Sequence, residues 1–490
     1  MTDTTSTITD TSEAGLDRVM AAAEAAAPVF GGLRPAERAA MLRRAAAELD
    51  AAADELVPIA MAESHLPEAR CRGELARTTF QLRLFAETVE EGSYLEAAID
   101  TADPDWGMGP RPDVRRMLVP LGPVVVFGAS NFPFAFSTAG GDTASALAAG
   151  CPVVVKAHPG HPRLARRTGE VVAKALGDAG APEGVFAVVF GQETGRRAVL
   201  HPRTAAVGFT GSIPGGRALH DLAASRPRPI PFYGELGSLN PVFVTRAALA
   251  ARGDAVLSGY ADSFTLGSGQ FCTKPGVLLV PEGTGLEALA ADVAGRAASR
   301  LLNERVTEGF ETGLAELTGH RVTEVLVRGA AAEGDWTPTL LRTDAASLLE
   351  HRDVLLEECF GPTSLVVTYT DEEQLVEVAG ALEGQLTATV QAEDGDAVAA
   401  RLLAVLTEKA GRVLWNGWPT GVSVTHAMTH GGPYPATTSV LHTSVGTTAI
   451  RRFLRPVTYQ SVPQPLLPEA LRDDNPLGLP RRVNGAPEAG

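Results

Sequence analysis

The chain has 490 residues, of which 45% are apolar and 20% charged, and its 58 acidic against 42 basic residues give a formal charge of −16. That length supports a sizeable core and two or three domains, and the acidic balance gives nucleic acid or an anionic membrane no electrostatic reason to bind, which leaves small-molecule work. The four cysteines, Cys71, Cys151, Cys272 and Cys359, are scattered, with no CxxC pair and no His/Cys cluster at zinc-ligand spacing, so neither a disulfide scaffold nor a metal site is expected.

The start, MTDTTSTITDTSEAG, lacks the basic and apolar regions of a secretory signal, and no window reaches the ~18 uninterrupted apolar residues of a membrane span. A cytoplasmic protein with a disordered polar N-terminus is expected. From Leu16 to about Val89, Ala, Leu, Glu and Arg recur with apolar residues at helical spacing, which predicts several long helices. The stretch from Ala98 to Met117 breaks that pattern with proline, glycine and charge, and reads as an excursion from the first domain, an oligomerisation arm.

Buried strands then alternate with helices: PVVVFG (123 to 128), a small-residue helix from Ser137 to Ala149, PVVVKA (152 to 157), a helix near Pro162 to Leu176, and VFAVVF (185 to 190). A short helix near Thr194 to Leu200, the strand AAVGF (205 to 209) and a helix from about Gly215 to Ala224 continue the series. Short continuous apolar runs separated by helices are what a parallel sheet covered on both faces requires, so this part reads as a dinucleotide-type α/β domain. A second α/β region begins near Asn240 with PVFV and runs through VLLV (277 to 280) and SLVVTY (364 to 369) to beyond Trp418. The tail from Pro463, rich in Pro, Arg and Asp, is expected to be irregular and surface-lying.

Within the second region, GSGQFCTKPG (267 to 276) surrounds Cys272 with glycines and small polar residues. An unpaired cysteine is commonly inert packing. Here, though, the glycines let backbone approach a ligand, small neighbours leave room beside the sulfur for a carbonyl carbon, and turn N–H groups suit a developing oxyanion.

GQFCTKPG resembles the nucleophile motif of the aldehyde dehydrogenase superfamily, and other segments agree in order and rough spacing. PFYGELGSLNP (231 to 241) resembles the family's ELGGKSP motif and aligns Glu235 with its general base; FGASNFPFAFS (127 to 137) resembles WNFP, matching Asn131 to the side-chain donor of the oxyanion hole. VVVKAHP (153 to 159) matches the lysine motif at Lys156, and GFTGSIPGGRAL (208 to 219) resembles the FTGS motif, with Gly211, Ser212 and Gly216 at the cofactor. LLEECFGP (355 to 362) resembles EEIFGP, which puts Glu358 and Phe360 beside a ribose. The resemblance covers residues from about 120 to 460. Outside it, each residue has a plainer use: Glu235 and Glu358 as surface acids, Asn131 as a turn-former, Lys156 as a solvated charge.

What the resemblance implies is an α/β protein of aldehyde dehydrogenase type. Residues 1–97 and 118–236 would form a Rossmann-type cofactor domain, 237–442 the catalytic domain, 98–117 with 443–462 the oligomerisation arm, and 463–490 the irregular tail. Cys272 would add to an aldehyde, Asn131 and the Cys272 N–H would hold the oxyanion, and Glu235 would activate the water that hydrolyses the thioester. Many family members have glutamate three residues after the motif lysine, bonded to the adenosine ribose; this chain has Pro159. Loss of that carboxylate makes room for a 2′-phosphate, with Lys156 and His158 to meet it, so NADP is expected to serve at least as well as NAD. His158 as an exposed turn histidine is the plainer alternative.

At the C-terminal side His430-Gly-Gly-Pro-Tyr-Pro-Ala-Thr437 replaces the family's FGGxKxSG. With WNGWPTGV (415 to 422) and AIRRFLRPVTYQ (449 to 460), it is similar to a subgroup of 2,5-dioxopentanoate (α-ketoglutaric semialdehyde) dehydrogenases and a bacterial NADP-linked fatty aldehyde dehydrogenase. An oxo-acid semialdehyde needs a cationic anchor, and no basic residue in these motifs identifies itself as one. A fatty aldehyde needs an apolar funnel, for which Phe132, Phe136, Phe271 and Trp418 are candidates. A catalytically silent nucleotide-binding scaffold is the alternative of another class. A homodimer or homotetramer is implied.

Overall fold

The computed structural model describes residues 8–488. Residues 1–7, most of the expected disordered N-terminus, lie outside the described residues; by Thr11 the chain is already docked, its N–H donating to Phe190 O at 2.9 Å. Four helices follow, α1 (Glu13–Gly31), α2 (Pro35–Ala51), α3 (Ala53–Ser64) and α4 (Glu68–Glu91). Leu75, Thr78, Thr79, Leu82, Phe85, Ala86 and Val89 on α4 are buried at three- and four-residue spacing, the stripe that packs it on α2.

The excursion then forms two strands, β1 (Ala98–Asp100) and β2 (Val114–Pro120). Beyond it the chain alternates: β3 (Val124–Phe127), α5 (Gly141–Ala149), β4 (Val153–Lys156), α6 (Pro162–Asp178), β5 (Phe186–Val189), α7 (Gln192–Leu200), β6 (Ala206–Thr210), α8 (Ile213–Ser225) and β7 (Phe232–Glu235). These strands pair in parallel in the order β5-β4-β3-β6-β7. The valine runs of β3 and β4 are buried along their whole length, which is why they read as continuous apolar stretches rather than alternating ones. Sheet order reverses between β3 and β6, so a crevice opens at their carboxyl ends, the place where such sheets take ligands. Helix α5 starts four residues later than expected because Gly140 and Gly141 close a turn, the Gly141 N–H donating to Ala135 O at 2.9 Å.

The second half contains β8 (Val242–Val244), α9 (Arg246–Thr265), β9 (Val277–Pro281), α10 (Glu287–Ala294), β10 (Ser299–Arg300), α11 (Glu304–Gly319), β11 (Glu324–Val327), β12 (Ala331–Ala332), β13 (Asp335–Trp336), β14 (Thr339–Asp344), β15 (Thr363–Tyr369), β16 (Gln385–Gln391) and β17 (Ala410–Trp415). Seven of these strands make one sheet in the order β11-β14-β15-β9-β8-β16-β17, with only β11 antiparallel, while β10, β13 and β12 form a small sheet of their own.

A third layer is assembled from distant segments: β18 (Leu454–Gln460) pairs antiparallel with β2 from Leu454 opposite Pro120 to Gln460 opposite Val114. The tail departs from expectation. Instead of an irregular strand of surface chain, it adds β19 (Arg481–Val483) and β20 (Ala486–Glu488) to the same sheet, in the order β18-β2-β1-β19-β20. Its composition is polar, yet Leu467, Leu471 and Leu479 are each at most 3% exposed, and burying them holds the segment against the fold. Arg115 fastens it with a bond to Leu471 O at 2.6 Å. Among the described residues no helix is long and apolar enough to cross a membrane.

Candidate active site

Strand β7 delivers Glu235 to the end of the first sheet, where a segment nearly two hundred residues later docks along it. Leu236 N–H donates to Ala436 O at 2.8 Å, Thr438 N–H to Gly234 O at 3.0 Å, and Gly234 N–H to Thr438 Oγ1 at 2.8 Å. That pairing carries His430 to the carboxylate: its Nε2 lies 2.7 Å from Glu235 Oε1 and 3.4 Å from Cys272 Sγ. Ser444 Oγ donates to the other Glu235 oxygen. Glu235 is 3% and His430 0% exposed, so this is a dry corner in which every interaction is stronger than it would be in water.

The turn before Cys272 is shaped by three consecutive residues in the left-handed region, Gly267 (φ 56°), Ser268 (φ 57°) and Gly269 (φ 65°). A side chain at Gly269 would overlap Gly361 O, so glycine is required there twice over. Asn240 ties this turn to the segment that follows Glu235: its Nδ2 donates to Cys272 O and Lys274 O, both at 2.9 Å. Gln385 Oε1 in turn accepts from Leu239 N at 2.9 Å and Asn240 N at 3.1 Å. Asn131 arrives from the loop after β3 and donates through Nδ2 to Gln270 O at 3.1 Å, two residues before the thiol. One of the two Nδ2 hydrogens is used there; an amide nitrogen has a second to offer.

Burial pushes the Cys272 thiol well above its ordinary range, and the charge of Glu235 adds to the rise. Burial pushes the Glu235 carboxyl up too, but His430, Ser444 and Cys272 outweigh it and hold the carboxyl below its usual value. The resting pair is therefore a thiol beside a carboxylate. His430 Nδ1 is buried without a partner. An unmet N–H costs more than an unmet lone pair, so the network assigns the ring hydrogen to Nε2, aimed between the carboxylate and the sulfur. Sulfur, carboxylate and imidazole donor atoms all lie within 4.8 Å of one another. The 2.7 Å separation of Nε2 and Oε1 is that of two atoms sharing a proton.

At the crevice of the first sheet, Lys156 ends β4 and burial lowers its ammonium pKa, with Arg305 adding to the drop. His158 is half-buried, held well below its usual value by burial and by the nearby charges of Lys156 and Arg305. Its Nδ1 accepts from Gly160 N at 3.0 Å, which leaves Nε2–H as the free donor. Arg305, in the first turn of α11, was not legible as part of this group. Ser212 caps α8, accepting from Gly215 N at 3.4 Å. Gly211 has its N–H on Glu235 O at 3.1 Å, and a side chain at Gly216 would overlap Leu236, so both glycines have packing uses at this junction. Glu358 lies against Gly237, where a β-carbon would strike its Oε2; burial raises its carboxyl to about 7, opposed by Lys274 and the Ser238 N–H. Phe360 is half-buried beyond it. A cationic cluster at β4 with a helix N-terminus at α8 suits the phosphates of a dinucleotide, and a carboxylate at the mouth suits a ribose.

Three of the four candidate funnel aromatics come together. Phe132 meets Phe136 edge-on at 5.2 Å and Phe271 at 5.4 Å between centroids, whereas Trp418 packs toward Tyr260 of α9 at 6.3 Å. The structure adds His430 to the candidate site, a residue quoted in the sequence only as the start of HGGPYPAT.

The model of the aldehyde dehydrogenase family matches residues 2–458. The chain is 48% identical over 488 residues to alpha-ketoglutaric semialdehyde dehydrogenase 2 of Azospirillum brasilense, spanning 97% of this chain and 92% of that protein. It is 45% identical over 484 residues to alpha-ketoglutaric semialdehyde dehydrogenase of Acinetobacter baylyi, again covering 97% and 92%. Among solved structures, lactaldehyde dehydrogenase from Escherichia coli superposes with a TM-score of 0.77 at 24% identity, covering 91% of this chain and 90% of that one.

Proposed function

The chain belongs to the aldehyde dehydrogenase family and is an oxidoreductase, and from that premise we propose that it oxidises 2,5-dioxopentanoate to 2-oxoglutarate, with NADP as the preferred acceptor. The two relatives named for that semialdehyde support the choice of substrate. The observation that carries the chemistry is the single His430 nitrogen shared by Cys272 Sγ and Glu235 Oε1.

The Cys272 thiol gives its proton to Glu235 as sulfur bonds to the aldehyde carbon, and the carbonyl oxygen becomes an oxyanion held by the free Asn131 Nδ2 hydrogen and the Cys272 N–H. A nicotinamide nucleotide, when bound, supplies the acceptor for the aldehyde hydrogen and its electron pair. A thioester remains on Cys272. Glu235, having shed its proton, takes one from water as the water oxygen adds to the thioester carbon; the carbon–sulfur bond then breaks, releasing the acid and a thiolate. The His430 Nε2–H faces the sulfur at both moments when it carries charge, and steadies it as nucleophile and as leaving group.

Lys156, His158 and Arg305 would hold a 2′-phosphate, His158 as a neutral Nε2–H donor, and Pro159 leaves the ribose edge without a carboxylate. Ser212 and the start of α8 would take the pyrophosphate, with Gly211 and Gly216 allowing the close approach, and Glu358 with Phe360 would face the nicotinamide ribose. We assign the cofactor to residues 1–97 and 118–236 and the chemistry to 237–442. The arm, 98–117 and 443–462 together with the tail strands, is the route to a homodimer or homotetramer, because β18 lies at a sheet edge with most of its residues exposed. Four unpaired cysteines fit a reducing cytoplasm.

The test is kcat/KM for 2,5-dioxopentanoate, succinic semialdehyde and a long aliphatic aldehyde, each with NADP and NAD, beside Cys272→Ala as the blank. The highest value is expected with 2,5-dioxopentanoate and NADP. A long aliphatic aldehyde that matches it overturns the substrate, and an NAD preference of about 100-fold overturns the cofactor.

A further inference from the structure

The two donors assigned above to the oxyanion, the Asn131 amide and the Cys272 N–H, belong to segments far apart in the chain, and neither lies in a strand or an α-helix. Asn131 is in the stretch 128–140 between β3 and α5, and Cys272 follows a turn of left-handed residues. Such donors stabilise a developing charge only when held within about 0.5 Å of their productive place, so the two segments must be fixed against each other. The bond from Asn131 Nδ2 to Gln270 O at 3.1 Å joins them, but it draws on the amide whose placement is in question.

Helix α4 supplies an independent connection. Arg70, in its first turn, donates from Nη2 to Asn131 O at 3.4 Å, and its guanidinium lies over two rings, 4.5 Å from the centroid of Phe132 and 4.3 Å from that of Phe271. Phe132 follows Asn131 and Phe271 precedes Cys272, so one cation is stacked on the immediate neighbour of each donor. A β-carbon at Gly267 would lie 3.6 Å from Arg70 Nη1, so the guanidinium also reaches the start of the turn before Cys272. One helical turn on, Glu74 is 4% exposed. Its Oε1 accepts from Phe134 N–H at 2.8 Å and Ala135 N–H at 3.0 Å, and its Oε2 faces Arg70 Nε at 3.5 Å. Burial raises the Glu74 carboxyl pKa, and Arg70 with the two N–H groups opposes that rise. Burying such a carboxyl is costly unless its oxygens are met. Here one oxygen meets the backbone of the Asn131 segment and the other the arginine that spans both segments.

We infer that Arg70 and Glu74 are positioning residues of the oxyanion site, holding the Asn131 amide in register with the Cys272 N–H so that both point at one oxygen. A planar guanidinium can stack on two rings and donate at its edge at once, which a lysine ammonium does only in part. The inference rests on the reading of Asn131 as oxyanion donor given above, and adds what keeps that donor in place.

The experiment uses the full-length enzyme and a double-mutant cycle: Arg70→Met and Glu74→Gln, each alone and combined with Asn131→Ala, beside Arg70→Lys. Two reactions are followed. One is oxidation of 2,5-dioxopentanoate. The other is cleavage of p-nitrophenyl acetate without cofactor, in which the Cys272 sulfur adds to the ester carbonyl, p-nitrophenolate leaves and water releases acetate, so the same oxyanion forms whatever the natural aldehyde is. Asn131→Ala is expected to lower kcat about 10²-fold in both reactions. Arg70→Met and Glu74→Gln are each expected to lower it about 10-fold with little change in KM, Arg70→Lys to recover part of the loss, and either change added to Asn131→Ala to cost less than about 2-fold more. Losses that multiply in full overturn the inference, because a pair that merely supports the fold costs the same with or without Asn131. An unchanged kcat, or a loss confined to KM, overturns it as well. If Asn131→Ala itself costs nothing, the oxyanion reading fails and the positioning role falls with it. A failure of the substrate assignment shows in the aldehyde reaction alone and leaves the ester cycle to decide.

Discussion

The two halves of the site are built on opposite principles. In the corner of Cys272, Glu235 and His430, nearly every polar atom has a protein partner, the carboxylate and the imidazole are buried, and a hydrogen bond of 2.7 Å joins them. At the crevice, Lys156 and Arg305 gather positive charge beside a neutral His158 whose Nε2–H is free. Groups that move protons must be aligned before anything arrives. Groups that bind must be left incomplete, so that the ligand completes them. Substitutions in the first region should therefore change turnover, and in the second, affinity.

The contrast breaks first at Glu235. Glu235→Gln keeps the shape and the Ser444 contact but removes the acceptor of the thiol proton and the base for thioester hydrolysis. Steady-state kcat is expected to fall about 10²- to 10³-fold, and the burst of reduced cofactor is expected to slow with it. Stopped-flow absorbance reads both, and a burst that keeps its wild-type rate would mean that Glu235 serves hydrolysis alone.

His430→Gln tests whether the shared nitrogen belongs with the base or merely fills space. The glutamine amide fills the same space and can donate to both neighbours, so the fold is retained, but it cannot share a proton with the carboxylate as the imidazole does. A loss of about 10- to 30-fold in kcat is expected, with little change in KM for either substrate. Thiol alkylation rate against pH gives the independent check: without His430 the thiolate should appear at higher pH. An unchanged alkylation profile would leave His430 as packing.

Much of this was legible in the chain and some could not be. Runs such as VVVK at 153–156 announce a strand buried on both faces, and the glycines around Cys272 announce a backbone that must come close, because each requirement is local. His430 lies 158 residues after Cys272 and 195 after Glu235, and nothing in its neighbours marks it, since its position follows from the docking of 434–438 along β7. Arg305 is hidden in the same way, on a helix far along the chain from Lys156, whose ammonium it perturbs. The tail misled by composition: three leucines among prolines and arginines are enough to bind it to the arm.

The smallest effect belongs to Glu358, which stands between the two regions and belongs to the binding one. Its carboxyl is raised from 4.5 to about 7 by burial. The folded protein therefore holds a proton that the unfolded chain has already lost between those values, and stability conferred by the neutral form declines as pH rises through that window, levelling above about 7. Glu358→Gln keeps a neutral side chain at every pH. Its stability relative to wild type should climb between about pH 5 and 7, by on the order of 1–2 kcal/mol, and stay constant beyond. Thermal unfolding at a series of pH values reads this, and a difference that does not vary with pH would place the carboxyl at its ordinary value. If the ionised form accepts the ribose hydroxyls, cofactor KM in wild type should also fall as pH rises through neutrality, and that dependence should vanish in Glu358→Gln while kcat moves little, the signature of a residue left incomplete for its ligand.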